Sequence, residues 1–294
     1  MNSLERNKWL NGAIKEALNA IVAHQPLRSA LVFKGARILN LHLGTERQSL
    51  DIDSNLSPEF AKQHENLEEL QAWLKGEMLI ALRNYFERQS PVRFTVQNVE
   101  VRRNPPRIPH PRKWDALVVL IKINDEKFRG VMGMPNVELE IAAPELLGPA
   151  AVTELSLDGH VLRAYALHRI AGEKLRAFLT SLPAYREKMK GGTRAHRVKD
   201  LHDLARILAV RPIQDEKFWR DSAGEFRLAC QSRLVDCAGL ATFLQAWEAT
   251  RTAYSNDATL SSIPFSAAED ALRQIIGKFQ EFQIFPLEYP LSQA

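Results

Sequence analysis

The sequence Asp51-Ile52-Asp53 places two carboxylates two residues apart in a stretch that alternates apolar and polar residues. That alternation predicts a strand, and residues two apart on a strand share a face. Two neighbouring anions repel each other unless they reach solvent or share a cation, and hard oxygen ligands suit Mg²⁺ or Mn²⁺. The pair therefore predicts a divalent-metal site, while a water-exposed strand edge explains the same two residues.

A glycine turn at Lys34-Gly35-Ala36 lies upstream, between a short apolar strand and an amphipathic helix. The first turn of a helix has free backbone N–H groups and the positive end of the helix dipole, so it favours phosphate. A phosphate site followed by a metal-binding carboxylate pair is what a nucleoside triphosphate requires, because Mg²⁺ bridges its phosphates. The two motifs together predict a nucleotide-dependent enzyme.

Two charged residues farther along the chain fall on apolar helix faces. Lys174 lies within the apolar stripe of residues 167–179, and Asp200 lies within that of residues 201–208, whereas Asp203 falls outside it. A charge directed at an apolar interface is unfavourable unless it is paired or binds an ion. These two positions therefore predict either a buried ion pair between packed helices or a functional site.

Two basic stretches are candidates for binding a polyanion. Residues 102–113 carry five Lys or Arg, four prolines and no acid, and residues 186–199 carry six Lys or Arg around a Gly-Gly pair. A solvated loop or hairpin tip accounts for either stretch alone. As a surface for nucleic acid, the stretches would contribute Arg102, Arg103, Arg107, Arg112, Lys113, Arg194 and Arg197.

The composition is that of an ordinary folded protein of 294 residues, with 45% hydrophobic and 25% charged residues. At about 150 residues per domain, this length favours two domains. Lys and Arg number 39 against 35 Asp and Glu, so the net charge is +4, which argues against a basic coat over the whole surface. The longest apolar run, residues 116–121, is far shorter than the ~20 residues of a membrane span, so we expect a cytoplasmic protein with no membrane partner.

Cysteine and histidine spacing restricts the metal chemistry. The sequence has two cysteines, Cys230 and Cys237, in a stretch that is typical of one helix, where seven residues rise about 10.5 Å and no disulfide can form. There is no CxxC, HxxxH or HxH pattern, which argues against a thiolate zinc site. Any metal is expected to use oxygen ligands.

Hydrophobic periodicity predicts helices and strands before residue 165 and almost only helices after it. We predict helices over residues 4–22, 37–43 and 59–86, and strands over residues 30–33, 49–56, 92–101, 116–123, 136–142 and 161–166. The predicted fold is α+β. It has a mixed β-sheet with helices in a domain over residues 1–165 and a helical domain over residues 166–294.

The segment LVFKGARILNLHLGTERQSLDIDSNL, residues 31–56, resembles the block KGG-x-L-x(n)-G-x-x-R-x-S-x-DID of the AbiEii nucleotidyltransferase toxin family. The resemblance implies a nucleotidyltransferase-like N-terminal domain with Mg²⁺ or Mn²⁺ at Asp51 and Asp53. It also implies that the nucleotide is bound by Lys34, Gly35, Ala36, Arg37, Arg47 and Ser49. The chain has Ala36 where the family has Gly or Ser, and Arg37 where Thr is common, so Arg37 either adds a phosphate contact or points outward.

Two later segments resemble the same family in the same order. AYALHRIAGEKLRAFL, residues 164–179, resembles a segment ending in A-E-K-L, and RVKDLHDLARIL, residues 197–208, resembles a helix with R-x-K/R-D-x-x-D-L. The resemblance implies catalytic roles for Lys174 and Asp200, which favours a functional site over a purely structural ion pair. It also implies a third carboxylate on a neighbouring strand, for which Glu138 and Glu140 are the candidates and Glu140 is preferred.

The resemblance implies transfer of a nucleotide from an NTP to RNA, with tRNA as the expected acceptor, by a toxin that has a cognate antitoxin. Lys174 would neutralise phosphate charge, and Glu140 or Asp200 would help to deprotonate the acceptor hydroxyl. Two alternatives stay open, namely transfer to a small molecule and a degenerate domain that binds nucleotide or RNA without turnover. Ala36 favours the degenerate domain, whereas the intact carboxylate pair opposes it.

Overall fold

The computed structural model of the protein describes residues 3–45, 50–106, 110, 112, 114–131, 133–191 and 195–291. The chain forms two compact units. The first comprises Met1–Pro144 and Val152–Tyr165, and the second comprises Glu145–Ala151 and Ala166–Ala294. The short segment Glu145–Ala151, placed in the first domain by the sequence pattern, thus belongs to the second unit.

A seven-stranded mixed sheet is the centre of the first unit. Its strands are β1 (Leu31–Lys34), β2 (Ile52–Leu56), β3 (Phe94–Asn104), β4 (Ala116–Asp125), β5 (Val137–Ile141), β6 (Val152–Leu157) and β7 (His160–Tyr165). They lie in the order β3-β4-β5-β2-β1-β7-β6. The helices are α1 (Ser3–Ala23), α2 (Gln25–Ala30), α3 (Gly35–Leu43), α4 (Pro58–Gln63) and α5 (Leu67–Glu87).

The two faces of the sheet differ in composition because residues alternate along each strand. On β5, Val137, Leu139 and Ile141 are buried, whereas Glu138 and Glu140 are exposed. The buried face packs against the long helices α1 and α5, which contact the sheet and each other. This packing forms the core of the unit and leaves the carboxylates of β5 on the opposite face.

Strand β6 is missing from the sequence prediction. It forms a hairpin with β7 through a turn at Asp158-Gly159, in which both residues have positive φ, 46° and 84°. Asp-Gly between alternating segments is a strong signal for such a two-residue turn, so the hairpin was predictable from these two residues. The hairpin joins the sheet where β7 pairs in parallel with β1, at Phe33 and Ala164.

The predicted helix over residues 59–86 is two helices, α4 and α5, with a break after Gln63. Asn66 begins α5 because its side chain accepts hydrogen bonds from the backbone N–H groups of Glu68 and Glu69, at 3.0 and 3.4 Å. Such an N-cap satisfies donors that the helix leaves free. Continuous apolar periodicity across the break hid this cap.

The second unit is helical. Its helices are α6 (Leu167–Leu179), α7 (Pro183–Lys188), α8 (Val198–Val210), α9 (Glu216–Arg233), α10 (Leu240–Phe243), α11 (Trp247–Asn256) and α12 (Phe265–Glu281). The central helix α6 packs against α8 and α9. Gly172 permits the close approach to α9, because a Cβ there would lie 2.6 Å from the backbone nitrogen of Phe226.

A buried carboxylate anchors the segment Glu145–Ala151 within the second unit. Glu145 accepts hydrogen bonds from Arg169 and Arg176, each at 2.9 Å, and forms an ion pair with Arg233 at 3.3 Å. Its side chain is 1% exposed. A buried carboxylate is stable only with such partners, so this cluster explains why the segment leaves the sheet unit.

The cysteine region differs from the prediction of a single helix. Helix α9 ends at Arg233, and Leu234 follows in the left-handed conformation. The backbone of Cys237 then forms an isolated antiparallel β-bridge with that of Leu287. Both cysteines are buried free thiols. Within the described residues, no helix is long and apolar enough to span a membrane.

Candidate active site

Two candidate carboxylates lie side by side on β2 and β5. Asp53 pairs with Glu140 in the parallel register of β2 and β5, and with Lys34 in the antiparallel register of β1 and β2. Paired residues on neighbouring strands project from the same face and lie about 5 Å apart. Lys34, Asp53 and Glu140 therefore form one row on the sheet face opposite α1 and α5.

Asp51 lies immediately before β2 and is exposed. The predicted strand over residues 49–56 began earlier, but β2 begins at Ile52, which pairs with Leu139. Continuing this parallel register by one pair brings Asp51 level with Glu138. The four carboxylates thus form two rows across β2 and β5. Asp51 is level with Glu138, and Asp53 is level with Glu140.

Gly35 brings the start of α3 against Asp53. Its φ is +79°, and a Cβ at this position would lie 1.9 Å from Asp53 Oδ2 and 2.7 Å from its Cγ. Only glycine satisfies both the positive φ and the close contact. Helix α3 begins at Gly35, two residues before the predicted start, so its first turn with free N–H groups is next to the Asp53 carboxylate.

A buried polar cluster lies on the same face beside this row. Lys34 is 9% exposed, and its Nζ lies 5.6 Å from the centre of the Tyr165 ring. Asn55 Nδ2 donates a hydrogen bond to the Tyr165 hydroxyl, and the Tyr165 carbonyl oxygen is hydrogen-bonded to His42 Nε2 at 2.8 Å. Sequence reasoning missed Tyr165 and Asn55, since a lone tyrosine at a strand end carries no local signal.

Arg37 neither points outward nor stands apart from the carboxylates. Its Nε donates to the backbone oxygen of Asp51 at 3.3 Å, and its Nη2 donates to Asn11 Oδ1 of α1 at 2.6 Å. Burial lowers the pKa of Arg37, and the nearby charge of Asp51 opposes that shift. The side chain also lines a cleft of about 520 Å³ in the first unit. Arg37 therefore restrains the backbone at one of the two proposed metal ligands.

The predicted basic residues are placed in different environments. Arg102 and Arg103 project from opposite faces of β3, since consecutive residues alternate. The Arg112 guanidinium lies 5.4 Å from the centre of the Trp114 ring, and Arg197 forms an ion pair within the second unit. Five predicted binding residues lie outside the described residues: Arg47, Ser49, Arg107, Lys113 and Arg194.

Lys174 and Asp200 form an ion pair in the second unit. Lys174 Nζ on α6 lies 2.9 Å from Asp200 Oδ1 and 2.8 Å from Asp203 Oδ2, both on α8. Asp200 Oδ2 in turn accepts a hydrogen bond from Arg197 Nε at 2.6 Å. The arrangement matches the ion pair that the sequence left open as a structural explanation, with one additional carboxylate.

The ion pairs decide the charge states in this cluster. Burial alone lowers the pKa of Lys174, but attraction by Asp200 and Asp203 outweighs it, so the pKa is raised. Burial alone raises the pKa of Asp200, but attraction by Lys174 and Arg197 outweighs it, so the pKa is lowered. Lys174 and Asp200 are therefore charged near neutral pH.

The expectation that Asp203 lies outside the buried stripe is wrong. Asp203 is fully buried, as are its neighbours Leu201 and Leu204, and His202 is 3% exposed. Helix α8 packs against α6, α11 and α12, so more than one of its faces is covered. A single apolar stripe describes a helix with one buried face, and it fails for a helix surrounded on several sides.

Among the described residues, no group of three or more His, Cys, Asp or Glu side chains converges on a position for a metal ion. Mg²⁺ in enzymes is usually held by one or two carboxylates together with waters and substrate phosphates. Two neighbouring carboxylates such as Asp51 and Asp53 are chemically sufficient for that mode.

Comparison with known proteins places the chain in a family. No curated protein matches it. The crystal structure of JHP933 from Helicobacter pylori is similar, with a TM-score of 0.46 and 16% sequence identity over 91% of this chain and 90% of that chain. The family model described as nucleotidyl transferase AbiEii toxin, type IV TA system, matches residues 16–283. The chain therefore belongs to the AbiEii family of nucleotidyl transferase toxins of type IV toxin–antitoxin systems.

Proposed function

We propose that the protein transfers a nucleotide from an NTP to an RNA acceptor, with tRNA as the expected acceptor, in a Mg²⁺-dependent reaction. The family implies a nucleotidyl transferase with a cognate antitoxin. One observation carries the finer proposal: Asp53 is level with Glu140 and in contact with Gly35 at the start of α3. The start of α3, where the donor phosphates would bind, and two acidic groups thus lie close together at the sheet.

The triphosphate would be held at the first turn of α3. The Lys34 side chain makes no capping hydrogen bond there, and the backbone N–H groups of Gly35 and Ala36 begin the helix. These groups and the positive end of the helix dipole favour an anion. Replacement of the family's second glycine by Ala36 retains this backbone donor, so the departure does not remove the phosphate site.

Asp51 and Asp53 would hold Mg²⁺. When bound, the ion supplies neutralisation of charge on the triphosphate oxygens. Arg37 keeps the Asp51 backbone in place through its 3.3 Å hydrogen bond, and Gly35 leaves room for the Asp53 carboxylate. Both ligands are thus restrained by neighbours outside the pair.

In the transfer step, the acceptor hydroxyl oxygen forms a bond to the α-phosphorus, while the bond from that phosphorus to the oxygen bridging to the β-phosphate breaks. Pyrophosphate leaves, and the hydroxyl proton passes to a carboxylate. Glu140 suits this role because it is exposed and level with Asp53. Asp200 suits it less, since its ion pairs lower its pKa and weaken it as a base. Phosphate neutralisation by Lys174 stays a prediction.

The test is incubation of the full-length protein with each labelled NTP, Mg²⁺ and total tRNA, followed by separation of RNA from free nucleotide. We expect RNA labelled from at least one NTP, with labelling lost in Asp53→Asn. Asp270→Asn, an exposed aspartate on α12, serves as the matched control and should label like the wild type. Absence of labelled RNA with all four NTPs, or undiminished labelling by Asp53→Asn, contradicts the proposal.

A further inference from the structure

The carboxylate row of the first unit continues across the sheet to an arginine. Glu140 on β5 pairs with Val118 on β4, and Val118 pairs with Arg102 on β3. Paired residues share a face, so Arg102 projects from the same face as Asp53 and Glu140. At about 4.8 Å per strand, Arg102 lies two strands, or roughly 10 Å, from Glu140 and about 14 Å from Asp53.

Arg102 differs from the other described arginines of the basic stretches in its contacts. It is exposed, and it makes no hydrogen bond or ion pair with any residue that the structure describes. Arg112 instead lies over Trp114, and Arg197 is paired with Asp200. Arg103 is directed to the helix-covered face and has a buried Nε. Arg102 is thus the member of this set whose guanidinium remains available on the carboxylate-bearing face.

In the part of the sheet that the structure describes, the neighbours of Arg102 in the direction of β5 are acidic or apolar. Glu100 and Glu138 occupy the next row of the same face, paired through Leu120. These carboxylates disfavour a polyanion along that row, whereas Val118 provides an almost buried apolar position, 8% exposed, between Arg102 and Glu140. An anionic chain would therefore cross the sheet along the row of Val118.

We propose that Arg102 binds a phosphate of the acceptor and thereby selects a polynucleotide over a small-molecule acceptor, an inference that rests on the proposed function. Arginine presents a planar donor set that binds phosphate oxygens in pairs. The acceptor hydroxyl would lie at Glu140, and the roughly 10 Å from there to Arg102 corresponds to about three nucleotides at the 3.4 Å spacing of a stacked strand, and to fewer in an extended one. An acceptor of a single small ring held at Glu140 does not span this distance.

The experiment measures tRNA binding to the full-length protein by fluorescence anisotropy over a range of salt concentrations. For Arg102→Ser we expect weaker binding at low salt and a slope of log K against log salt that is shallower by about 0.7 to 0.9, the value of one phosphate contact. Arg102→Lys should retain most of the slope. The KM for NTP in the transfer assay should stay at the wild-type value, because the donor is held at α3.

Lys122→Ser is the matched control. Lys122 is an exposed cation on the same face of β4, four residues or about 14 Å from Val118 along the strand. We expect its salt slope to equal that of the wild type. An equal loss of slope in Lys122→Ser and Arg102→Ser would indicate diffuse attraction and overturn the proposal.

Three other outcomes would overturn it, and they separate this inference from the proposed function. In the first outcome, the wild-type protein labels RNA, and both Arg102→Ser and a second variant, Arg102→Gln, keep the wild-type salt slope. This result would exclude the Arg102–phosphate contact and leave the proposed function intact. A wild-type protein that neither labels nor binds RNA removes the proposed acceptor and the Arg102 contact together. A raised KM for NTP in Arg102→Ser would place the residue on the donor instead.

Discussion

The carboxylates of β2 and β5 and the charged cluster of α6 and α8 are positioned by different forces. Asp53 and Glu140 are placed by backbone pairing between strands, and Glu140 is exposed to solvent. Lys174, Asp200 and Asp203 are placed by each other, through ion pairs of 2.8 and 2.9 Å between two helices. The sheet therefore holds charges that need not attract one another, whereas the helices hold charges that depend on their partners.

This difference predicts which substitutions affect activity and which affect folding. Neutralising a carboxylate in the sheet leaves the backbone hydrogen bonds that position its neighbours unchanged. Neutralising one member of a buried ion pair leaves an uncompensated charge in a poorly solvated place. We therefore expect substitutions in the first cluster to change chemistry more than stability, and substitutions in the second to change stability strongly.

The largest expected effect is on activity in Asp53→Asn. We expect transfer to fall by at least ~100-fold, or about 2.7 kcal/mol of transition-state free energy, because one of two proposed metal ligands is lost. Stability should change little, since lost attraction to Lys34 and relieved repulsion from Glu140 offset each other. Turnover and thermal melting are measured on the same preparations. A large fall in melting temperature would show that the sheet depends on this charge after all.

Lys174→Met should cause the largest loss of stability. It leaves Asp200 and Asp203 buried without their shared cation, and breaking such a pair costs about 3 to 5 kcal/mol. Denaturant unfolding measures the change. Lys217→Met, which removes an exposed lysine paired with Asp221 on α9, is the matched control and should melt like the wild type. Wild-type stability together with lost transfer in Lys174→Met would instead favour a purely functional lysine.

Gly35→Ala sharpens the comparison within the first unit. A side chain at positive φ costs about 1 to 2 kcal/mol, and here the added Cβ also displaces the Asp53 carboxylate. Gly44→Ala is the matched control, because Gly44 has φ of +61° but open space around its Cα. We expect both variants to lose stability and only Gly35→Ala to lose transfer. Equal turnover in the two variants would contradict the proposed link between Gly35 and Asp53.

The smallest expected effect is on the pH dependence of stability. The pKa of Asp200 is lower in the folded protein than its ordinary value of 3.8, so its ion pairs stabilise the fold above that value and are lost as the pH falls through the folded pKa. Asp200→Asn should therefore show a shallower fall in melting temperature below about pH 4 than the wild type. Identical profiles would indicate that Asp200 is already neutral in the folded protein.

Local patterns were sufficient for much of the fold. Helical periodicity predicted α1 and α3, and Gly44 ends α3 in the left-handed conformation, as its position after the last apolar residue indicates. Alternation predicted most strands of the sheet, while β6 was overlooked despite the Asp158-Gly159 turn. These features can be predicted from the sequence because each depends on residues that are close together in the chain.

The boundary between the two units was harder to predict from the sequence. The anchoring of Glu145 by three arginines moves residues 145–151 into the helical unit, and its partners Arg169, Arg176 and Arg233 are 24 to 88 positions away. No local pattern predicts such a contact. The break between α4 and α5 is a milder case, since the Asn66 cap was present in the sequence but masked by continuous apolar spacing.

By itself, the sequence determined the spacing of Asp51 and Asp53, the glycine before α3 and the family to which the chain belongs, since these are properties of short segments read in order. Only the tertiary structure decided that Glu140 is level with Asp53, that Arg102 and not Arg103 shares their face, and that Asp203 joins the Lys174 pair. Register joins strands that are distant in the chain, and burial of a helix face depends on how many neighbours surround it. Both are set by contacts that one segment cannot specify alone.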